Sequence, residues 1–298
     1  MKKYCGILID SGCTYDVNFI KKHNIEIIPL SFTDQNNKVY DDDNKEIDQA
    51  ELLKRLDAHE SFKTSATPIG KLMIKVEQMS ENYEHIIFLP ISIGLSSQYA
   101  QSLIVQQDYL GKFFPIKSTS AAIANEFVLN EVVKMVDEKM ELPSIVSRAQ
   151  DLYKYIDTYF SCEDLNGMKS GGRVTNAIMK VINLFKLKPI IQLDGKNQYG
   201  GVGKNYQVIS KKIIKNINKD FQNELKSEHV KSIGIYLGGY GEEKRSFLLE
   251  TFSNAFNFAK EKIFFRDLPT VILVHTRRGC YGISIQTNIP RETKEYTD

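Results

Sequence analysis

Apolar runs of four to six residues alternate with longer amphipathic segments through the first half of the chain. Each run is too short for a helix and is followed by polar or turn-forming residues, which predicts strands at residues 5–9, 25–30, 86–91 and 113–116. Apolar positions recur at helical spacing elsewhere, which predicts helices at residues 15–23, 48–59, 67–81, 96–110, 121–139 and 143–160. This alternation is typical of βαβ units around a parallel sheet.

The pattern changes after residue 160, where a polar, glycine-rich stretch precedes an apolar helix predicted at residues 174–185. Further strands are predicted at residues 189–193, 232–237, 270–275 and 281–286, and further helices at residues 206–225 and 242–263. The simplest arrangement of this second half is two paired helices over a mixed sheet. We therefore predict an α/β domain over residues 1–160 and an α+β domain over residues 161–298.

Composition excludes several classes of protein. Apolar residues make up 42% of the chain, charged residues 26%, and the formal net charge is +2, which argues against disorder and against a strongly basic nucleic-acid binder. The longest apolar runs are far shorter than the roughly 20 residues that span a bilayer. The four cysteines form no C-x-x-C pair, and no cleavage site follows the first apolar run, so we expect a cytoplasmic protein.

Polar segments follow or flank the apolar runs and are suited to an anionic head group. They are Asp10-Ser11, Thr64-Ser65, residues 92–97, Gly171-Gly172-Arg173 and His275. Hydroxyls and helix N-terminal amides can bind a carboxylate or a phosphate, and a guanidinium can pair with it. Thr67 and Ser96 are predicted to cap the helices that follow, which leaves Thr64, Ser65 and Ser92 for another role. Asp10 is expected to shape its turn.

Three residues could act as nucleophiles if the protein were a hydrolase or a transferase: Ser11, Ser92 and Cys13. None has an evident base nearby in the sequence, so the pattern favours holding an anion over transforming it. The glycine-rich stretch before Lys204 is no phosphate loop, because Asn205 follows the lysine and the glycine spacing is wrong. Histidines and carboxylates show no metal-ligand spacing, so no metal and no cofactor is predicted.

In chain order these segments resemble the DegV family of fatty-acid-binding proteins. The resemblance is carried by Asp10-Ser11, Thr64-Ser65 before a proline-started helix, Ser92-Ile93-Gly94-Leu95-Ser96, Gly172-Arg173, Lys188-Pro189 with Asp194-Gly195, and a late predicted strand that ends at His275 before Gly279. It implies a two-domain α/β protein, with a parallel sheet in the N-terminal domain and paired helices over a mixed sheet in the C-terminal domain. It also implies one long-chain fatty acid held between the domains.

The resemblance further implies roles for individual residues. The fatty-acid carboxylate would be bound by Thr64, Ser65, Ser92, Ile93 and His275, with Arg173 near the head group. Such a protein is not itself an enzyme. A separate ATP-using fatty acid kinase would phosphorylate the bound carboxylate to an acyl-phosphate for phospholipid synthesis, and Lys204 would lie in the segment that faces this partner.

This chain departs from the family pattern at two places in the implied head-group site. Ile93 stands where the family usually has the second serine of Ser-Ser-Gly, so one hydroxyl is lost. Thr276-Arg277-Arg278-Gly279 replaces a stretch of small residues and proline after the histidine. A carrier of another amphipathic anion is therefore an alternative to a fatty-acid carrier.

Overall fold

The computed structural model describes residues 2–174, 187–221 and 225–292. The strands of the N-terminal half are β1 (Lys3–Asp10), β2 (Glu26–Ile28), β3 (Ser31–Asp34), β4 (Val39–Asp41), β5 (Phe62–Ser65), β6 (Tyr83–Leu89) and β7 (Phe113–Pro115). Its helices are α1 (Val17–His23), α2 (Gln49–Asp57), α3 (Ile69–Asn82), α4 (Gln98–Asp108), α5 (Ile123–Asp137) and α6 (Leu142–Asp151).

A fully parallel four-stranded sheet in the order β2-β1-β6-β7 forms the centre of the N-terminal half. Residues 6–10 of β1 are all buried, as expected for a central parallel strand with both faces covered. The predicted parallel sheet is therefore confirmed. A second, antiparallel sheet in the order β4-β3-β5 was not predicted, because its strands have only three or four residues and mix polar with apolar positions.

The C-terminal half contains the strands β8 (Ile156–Ser161), β9 (Lys188–Asp194), β10 (Lys196–Gly203), β11 (Val230–Gly238), β12 (Ile263–Asp267) and β13 (Cys280–Thr287). Its described helices are α7 (Asn166–Ser170), α8 (Tyr206–Asp220), α9 (Glu242–Phe256) and α10 (Thr270–Thr276). The six strands form one mixed sheet in the order β10-β9-β8-β13-β11-β12. Helices α8 and α9 pack together over one face of it, which confirms the predicted arrangement.

Two predicted helices were too long. The helix predicted at residues 143–160 ends at Asp151, and β8 begins at Ile156 with all six residues buried in the middle of the sheet. The helix predicted at residues 242–263 ends at Phe256, after which Asn257 adopts the left-handed conformation and β12 begins at Ile263. In both cases a strand follows the helix after a short connection, and periodicity alone did not separate the helix from the strand.

The predicted strand at residues 270–275 is wrong, because this segment forms helix α10. Its Val-Ile-Leu-Val run is apolar enough for a buried strand, but a helix buried on most sides gives the same continuous pattern. Pro269 precedes the first helical residue, where its fixed φ and missing N–H are tolerated. The helix predicted at residues 174–185 lies almost wholly outside the described residues, and the domain boundary at residue 160 stays a prediction.

One hydrophobic core connects the two halves of the molecule. It contains residues of β1 and α5 together with residues from one face of the six-stranded sheet, among them Phe160, Ile191 and Tyr236. The opposite face of that sheet packs against α8 and α9 in a separate core. The face of the large sheet that is turned toward the N-terminal half is therefore apolar, and it forms one wall of the cavity described next.

Candidate functional site

An apolar cavity lies between the two halves of the protein. Leu30, Ile91 and Ala122 line it from the N-terminal half, whereas Phe160 and Tyr236 line it from the six-stranded sheet. Helix α10 forms another side. The cavity volume is about 80 Å³, roughly half of the about 150 Å³ that accommodates one benzene molecule. A buried apolar space of this kind is suited to an alkyl chain.

Polar groups converge at one end of this cavity, and the best defined pair is Thr64 and His275. Thr64 lies on β5 and His275 in the last turn of α10, and Thr64 Oγ1 is 2.8 Å from His275 Nε2. The other ring nitrogen, Nδ1, lies 3.4 Å from the carbonyl oxygen of Gly167. Because that carbonyl can only accept, the contacts favour a proton on Nδ1 and donation from the Thr64 hydroxyl to Nε2.

Burial and a neighbouring cation keep His275 neutral. Loss of hydration is the larger cause and the positive charge of Arg173 the smaller, and together they lower the pKa of its imidazole to about 4. Gly171 makes room for this ring, because a Cβ atom at that position would overlap Nδ1 and Cε1 of His275. The Gly-Gly-Arg segment identified in the sequence thus packs directly against the histidine.

Arg173 lines the same end of the cavity and is held by backbone carbonyls. Its Nε and Nη2 donate to the carbonyl of Leu95 at 3.2 and 3.0 Å, and its Nη1 donates to that of Gly171. Partial burial lowers the pKa of its guanidinium. Arg173 remains a cation beside a neutral histidine and a hydroxyl, an arrangement that can bind an anion.

Asn197 on β10 is a lining residue that the sequence analysis missed. Its Nδ2 donates to the carbonyl of Arg173 at 2.8 Å, and its buried Oδ1 has no hydrogen-bond partner among the described residues. In the sequence, the segment from Asn197 to Lys204 was compared only with a phosphate loop, which its glycine spacing excludes. Strand pairing across the β9–β10 hairpin, which brings Asn197 opposite Leu193, was not visible in the hydrophobic pattern.

The Ser-Ile-Gly segment lies beside the cavity and contacts the other half of the protein. The hydroxyl of Ser92 donates to the carbonyl of Gly195 at 2.5 Å, and the N–H of Gly94 donates to the same oxygen at 3.0 Å. Neither Ser92 nor Ile93 lines the cavity, and Ile93 is 39% exposed. The structure thus brings Thr64, Arg173 and His275 together, whereas it uses Ser92 to join the two halves.

Ser65 and Lys204 occupy exposed positions. Ser65 follows Thr64 at the end of β5 and lines the cavity beside it. Lys204 lies between β10 and α8, away from the cavity lining. It begins a segment in which Lys211, Lys212 and Lys215 are also exposed.

The predicted caps of α3 and α4 differ from those in the structure. Thr67 is fully buried, and its hydroxyl donates to the carbonyl of Pro29 at 2.7 Å, while Pro68 occupies the N-cap position of α3. Ser97 occupies the N-cap position of α4, and Ser96 Oγ accepts the N–H of Gln98 at 3.2 Å. Thr67 was therefore wrongly predicted as a cap, because a tertiary contact uses its hydroxyl.

Two of the three alternative nucleophiles, Ser11 and Cys13, lie outside this cavity and line a polar cleft together with residues of the loop before α2. Burial raises the pKa of the Cys13 thiol well above its usual range, which disfavours the reactive thiolate. Ser11 Oγ accepts the N–H of Leu30 at 3.0 Å. Asp10 shapes its turn as predicted, because its carboxylate accepts the N–H groups of Gly12 and Ile91.

Neither a bilayer-spanning helix nor a metal-binding cluster is found where the structure describes the chain. No helix there combines the required length with sufficient apolar character. Within residues 2–174, 187–221 and 225–292, no group of three or more His, Cys, Asp or Glu side chains is arranged to hold a metal ion.

The sequence and the fold are both similar to those of known proteins. Residues 5–288 match the family model described as an uncharacterised protein of the DegV family. A DegV domain-containing protein of Ureaplasma parvum is 30% identical over 295 residues, which cover 99% of each chain.

Two solved structures share the fold. A DegV family protein from Thermus thermophilus, described by its fatty acid binding, has a TM-score of 0.81 at 21% identity and covers 95% of this chain and 99% of its own. A stearic acid-binding protein from Eubacterium ventriosum has a TM-score of 0.82 at 20% identity and covers 96% and 98%. Because the family match extends over nearly the whole chain, this protein belongs to the DegV family.

Proposed function

We propose that this protein binds a long-chain fatty acid between its two halves, with the carboxylate beside Thr64, His275 and Arg173. The single observation that carries the proposal is the Thr64–His275 pair next to the half-buried Arg173, at one end of an otherwise apolar cavity. A buried carboxylate is costly unless it is paired, so a cation and hydrogen-bond donors are needed at that end. Fatty-acid-binding relatives of the same fold support this ligand class.

The acyl chain would supply most of the affinity. Each methylene removed from water contributes about 0.8 kcal/mol, before the cost of immobilising the chain. The cavity volume of about 80 Å³ is roughly half of what one benzene molecule needs, so it holds only a few methylenes of a long acyl chain. Binding of a long chain would therefore require side chains of the cavity wall to move apart.

We further propose that the protein is a carrier and not an enzyme. It would present the carboxylate to an ATP-dependent fatty acid kinase, which would make an acyl-phosphate for phospholipid synthesis in the cytoplasm. The buried thiol of Cys13 and the engaged hydroxyl of Ser92 support a carrier over a hydrolase. The exposed lysines around Lys204, in a segment 196–219 without acidic residues, suit an acidic face of a kinase partner.

The ligand is tested by denaturing the purified protein and identifying the organic extract by mass spectrometry. We expect a stoichiometric fatty acid, and we expect the emptied protein to take up added palmitate or oleate. A different amphipathic anion in the extract would assign the cavity to another ligand class, in keeping with Ile93 in place of a serine. A clean extract without uptake of either fatty acid would reject the proposal.

The kinase partner is tested separately, with fatty-acid-loaded protein, labelled ATP and the candidate kinase. Lys204→Glu should lower the rate of acyl-phosphate formation while leaving fatty-acid binding intact, because it reverses a charge outside the cavity. Lys22→Glu on α1 is the matched control, at an exposed lysine that does not line the cavity. Equal rates for the two variants would contradict the role of Lys204.

A further inference from the structure

The order of strands in the large sheet distinguishes the head-group end of the cavity from its far end. Asn197, bonded to Arg173, lies on β10 at one edge of the sheet. Tyr236 lies on β11 and also lines the cavity, four strand positions away in the order β10-β9-β8-β13-β11. At about 4.8 Å per strand, this separation is roughly 19 Å. Among the residues of this sheet that line the cavity, Tyr236 therefore lies on the strand farthest from Asn197.

The ring of Tyr236 extends back across the neighbouring strand toward the cavity. Gly282 is its partner on β13, and a Cβ atom there would overlap the ring carbon Cζ and the hydroxyl oxygen of Tyr236. The Tyr236 hydroxyl reaches the carbonyl of Tyr159 on β8 at 3.4 Å. The ring thus occupies the space above Gly282, beside Phe160, which is paired with Gly282 from the other side.

The region beyond Tyr236 is unfavourable for an alkyl chain. Arg266, the partner of Tyr236 on β12, donates to the buried carboxylate of Glu126 at 2.7 Å. An acyl chain that passed the tyrosine would meet this ion pair and remove its remaining water without replacing any hydrogen bond. In the order of strands, Tyr236 on β11 therefore lies between the cavity-lining residues of β8 and β13 and Arg266 on β12.

We propose that Tyr236 determines the maximum length of the acyl chain, an inference that rests on the fatty-acid-binding function proposed above. The ring acts as a steric stop through its volume. Its hydrogen bond to Tyr159 is at the long limit of such contacts and contributes little. Removal of the hydroxyl alone should therefore leave the length limit unchanged, whereas a smaller side chain should extend the cavity along the sheet.

The test compares the unchanged protein with Tyr236→Phe, Tyr236→Leu and Tyr281→Leu. Tyr281 is an equally buried tyrosine of the same sheet that faces the opposite core, so its variant controls for general loosening of the sheet. Displacement assays would use myristate, palmitate, stearate and arachidate, which differ stepwise by two methylenes. In Tyr236→Leu, the acid two methylenes longer than the one that the unchanged protein prefers should bury those two methylenes as well. Its affinity relative to that preferred acid should therefore rise roughly tenfold. Tyr236→Phe and Tyr281→Leu should keep the original order.

The outcomes distinguish a failure of the proposed role of Tyr236 from a failure of the proposed fatty-acid-binding function. If the unchanged protein binds fatty acid and Tyr236→Leu binds it with the same length preference, the role of Tyr236 is rejected and the carrier function stands. If the unchanged protein binds none of the four acids, the proposed function fails and this inference with it. Should Tyr236→Leu not fold, Tyr236→Met, whose unbranched and flexible side chain fills irregular gaps more easily, is compared in the same way. An unchanged preference would overturn the inference there too.

Discussion

The hydroxyl of Thr64 lies 2.8 Å from Nε2 of His275, although 211 positions separate the two residues in the sequence. Thr64 belongs to the small antiparallel sheet of the N-terminal half, and His275 to a helix of the C-terminal half. With Gly167 on its other side, the imidazole contacts two separate segments. The proposed head-group site therefore exists only while the two halves are packed together.

Replacing Thr64 by valine should weaken fatty-acid binding. The change keeps the shape but removes the hydroxyl, whose single proton would turn from His275 Nε2 to the carboxylate when the ligand binds. A hydrogen bond to a charged group contributes about 1.5–3 kcal/mol, so we expect a loss of tenfold or more. Fluorescence displacement of a bound fatty-acid probe measures it. Ser65→Ala, at the adjacent exposed hydroxyl, is the control and should change the affinity less. Equal losses for both variants would contradict a specific role for Thr64.

The pH dependence of the free energy of unfolding should show that His275 is neutral in the folded protein. Its folded pKa of about 4 lies below the unfolded value of about 6.5. The unfolded chain therefore binds the proton first, so the stabilisation by neutral His275 is present above the unfolded pKa and is lost as the pH falls toward 4. Between pH 7 and about pH 5 the loss is about 2 kcal/mol.

Urea unfolding of the protein and of His275→Gln at the two pH values isolates this effect. Asp10 and Asp42, whose pKa values are raised to about 7 and about 6 mainly by burial, act in the opposite direction but are present in both proteins. The difference between the two unfolding free energies should shrink on acidification. A difference that does not change with pH would show that His275 is not buried as a neutral group.

Gly94→Ala should destabilise the protein by about 2–4 kcal/mol, because the new Cβ would overlap the carbonyl oxygen of Gly195 and push the two halves apart. Gly70→Ala is a matched control within helix α3, where a Cβ atom meets nothing within 4 Å. That change should be neutral or stabilising, since alanine favours the helix. Thermal unfolding compares the two, and similar melting temperatures would contradict the contact.

Ser92→Ala tests whether this serine binds ligand or stabilises the fold. Because its hydroxyl donates to the carbonyl of Gly195, we expect a loss of about 1 kcal/mol in the free energy of unfolding. Fatty-acid affinity should fall less than in Thr64→Val. If the affinity fell more and stability were unchanged, Ser92 would bind the carboxylate directly.

Cys13 should resist alkylation in the folded protein. Its sulfur is buried and the pKa of its thiol is raised, so the thiolate needed for reaction is scarce. Iodoacetamide followed by peptide mass spectrometry should modify it only after unfolding in urea. Rapid stoichiometric labelling of the folded protein would instead favour the nucleophile hypothesis.

The sequence predicted the parallel sheet of the first half well, because its strands are short apolar runs separated by clear helical periods. It missed the small antiparallel sheet that carries Thr64, because those strands are short and mix polar with apolar positions. It also identified Thr64, Arg173 and His275 as candidates from residue type and from the family resemblance. It misassigned residues 270–275 as a strand, since a buried helix and a buried strand have the same continuous apolar pattern. His275 is nevertheless at the end of its element in both interpretations.

The sequence by itself determined the alternating α/β architecture, the family and the polar segments suited to an anion. These properties depend on local periodicity and residue type. The tertiary structure decided which of the polar groups meet: Thr64 and His275 pair across the two halves, whereas the hydroxyl of Ser92 is used by Gly195. A hydroxyl can donate to any acceptor that packing brings within reach, and packing between distant segments is not encoded in the local pattern of either one.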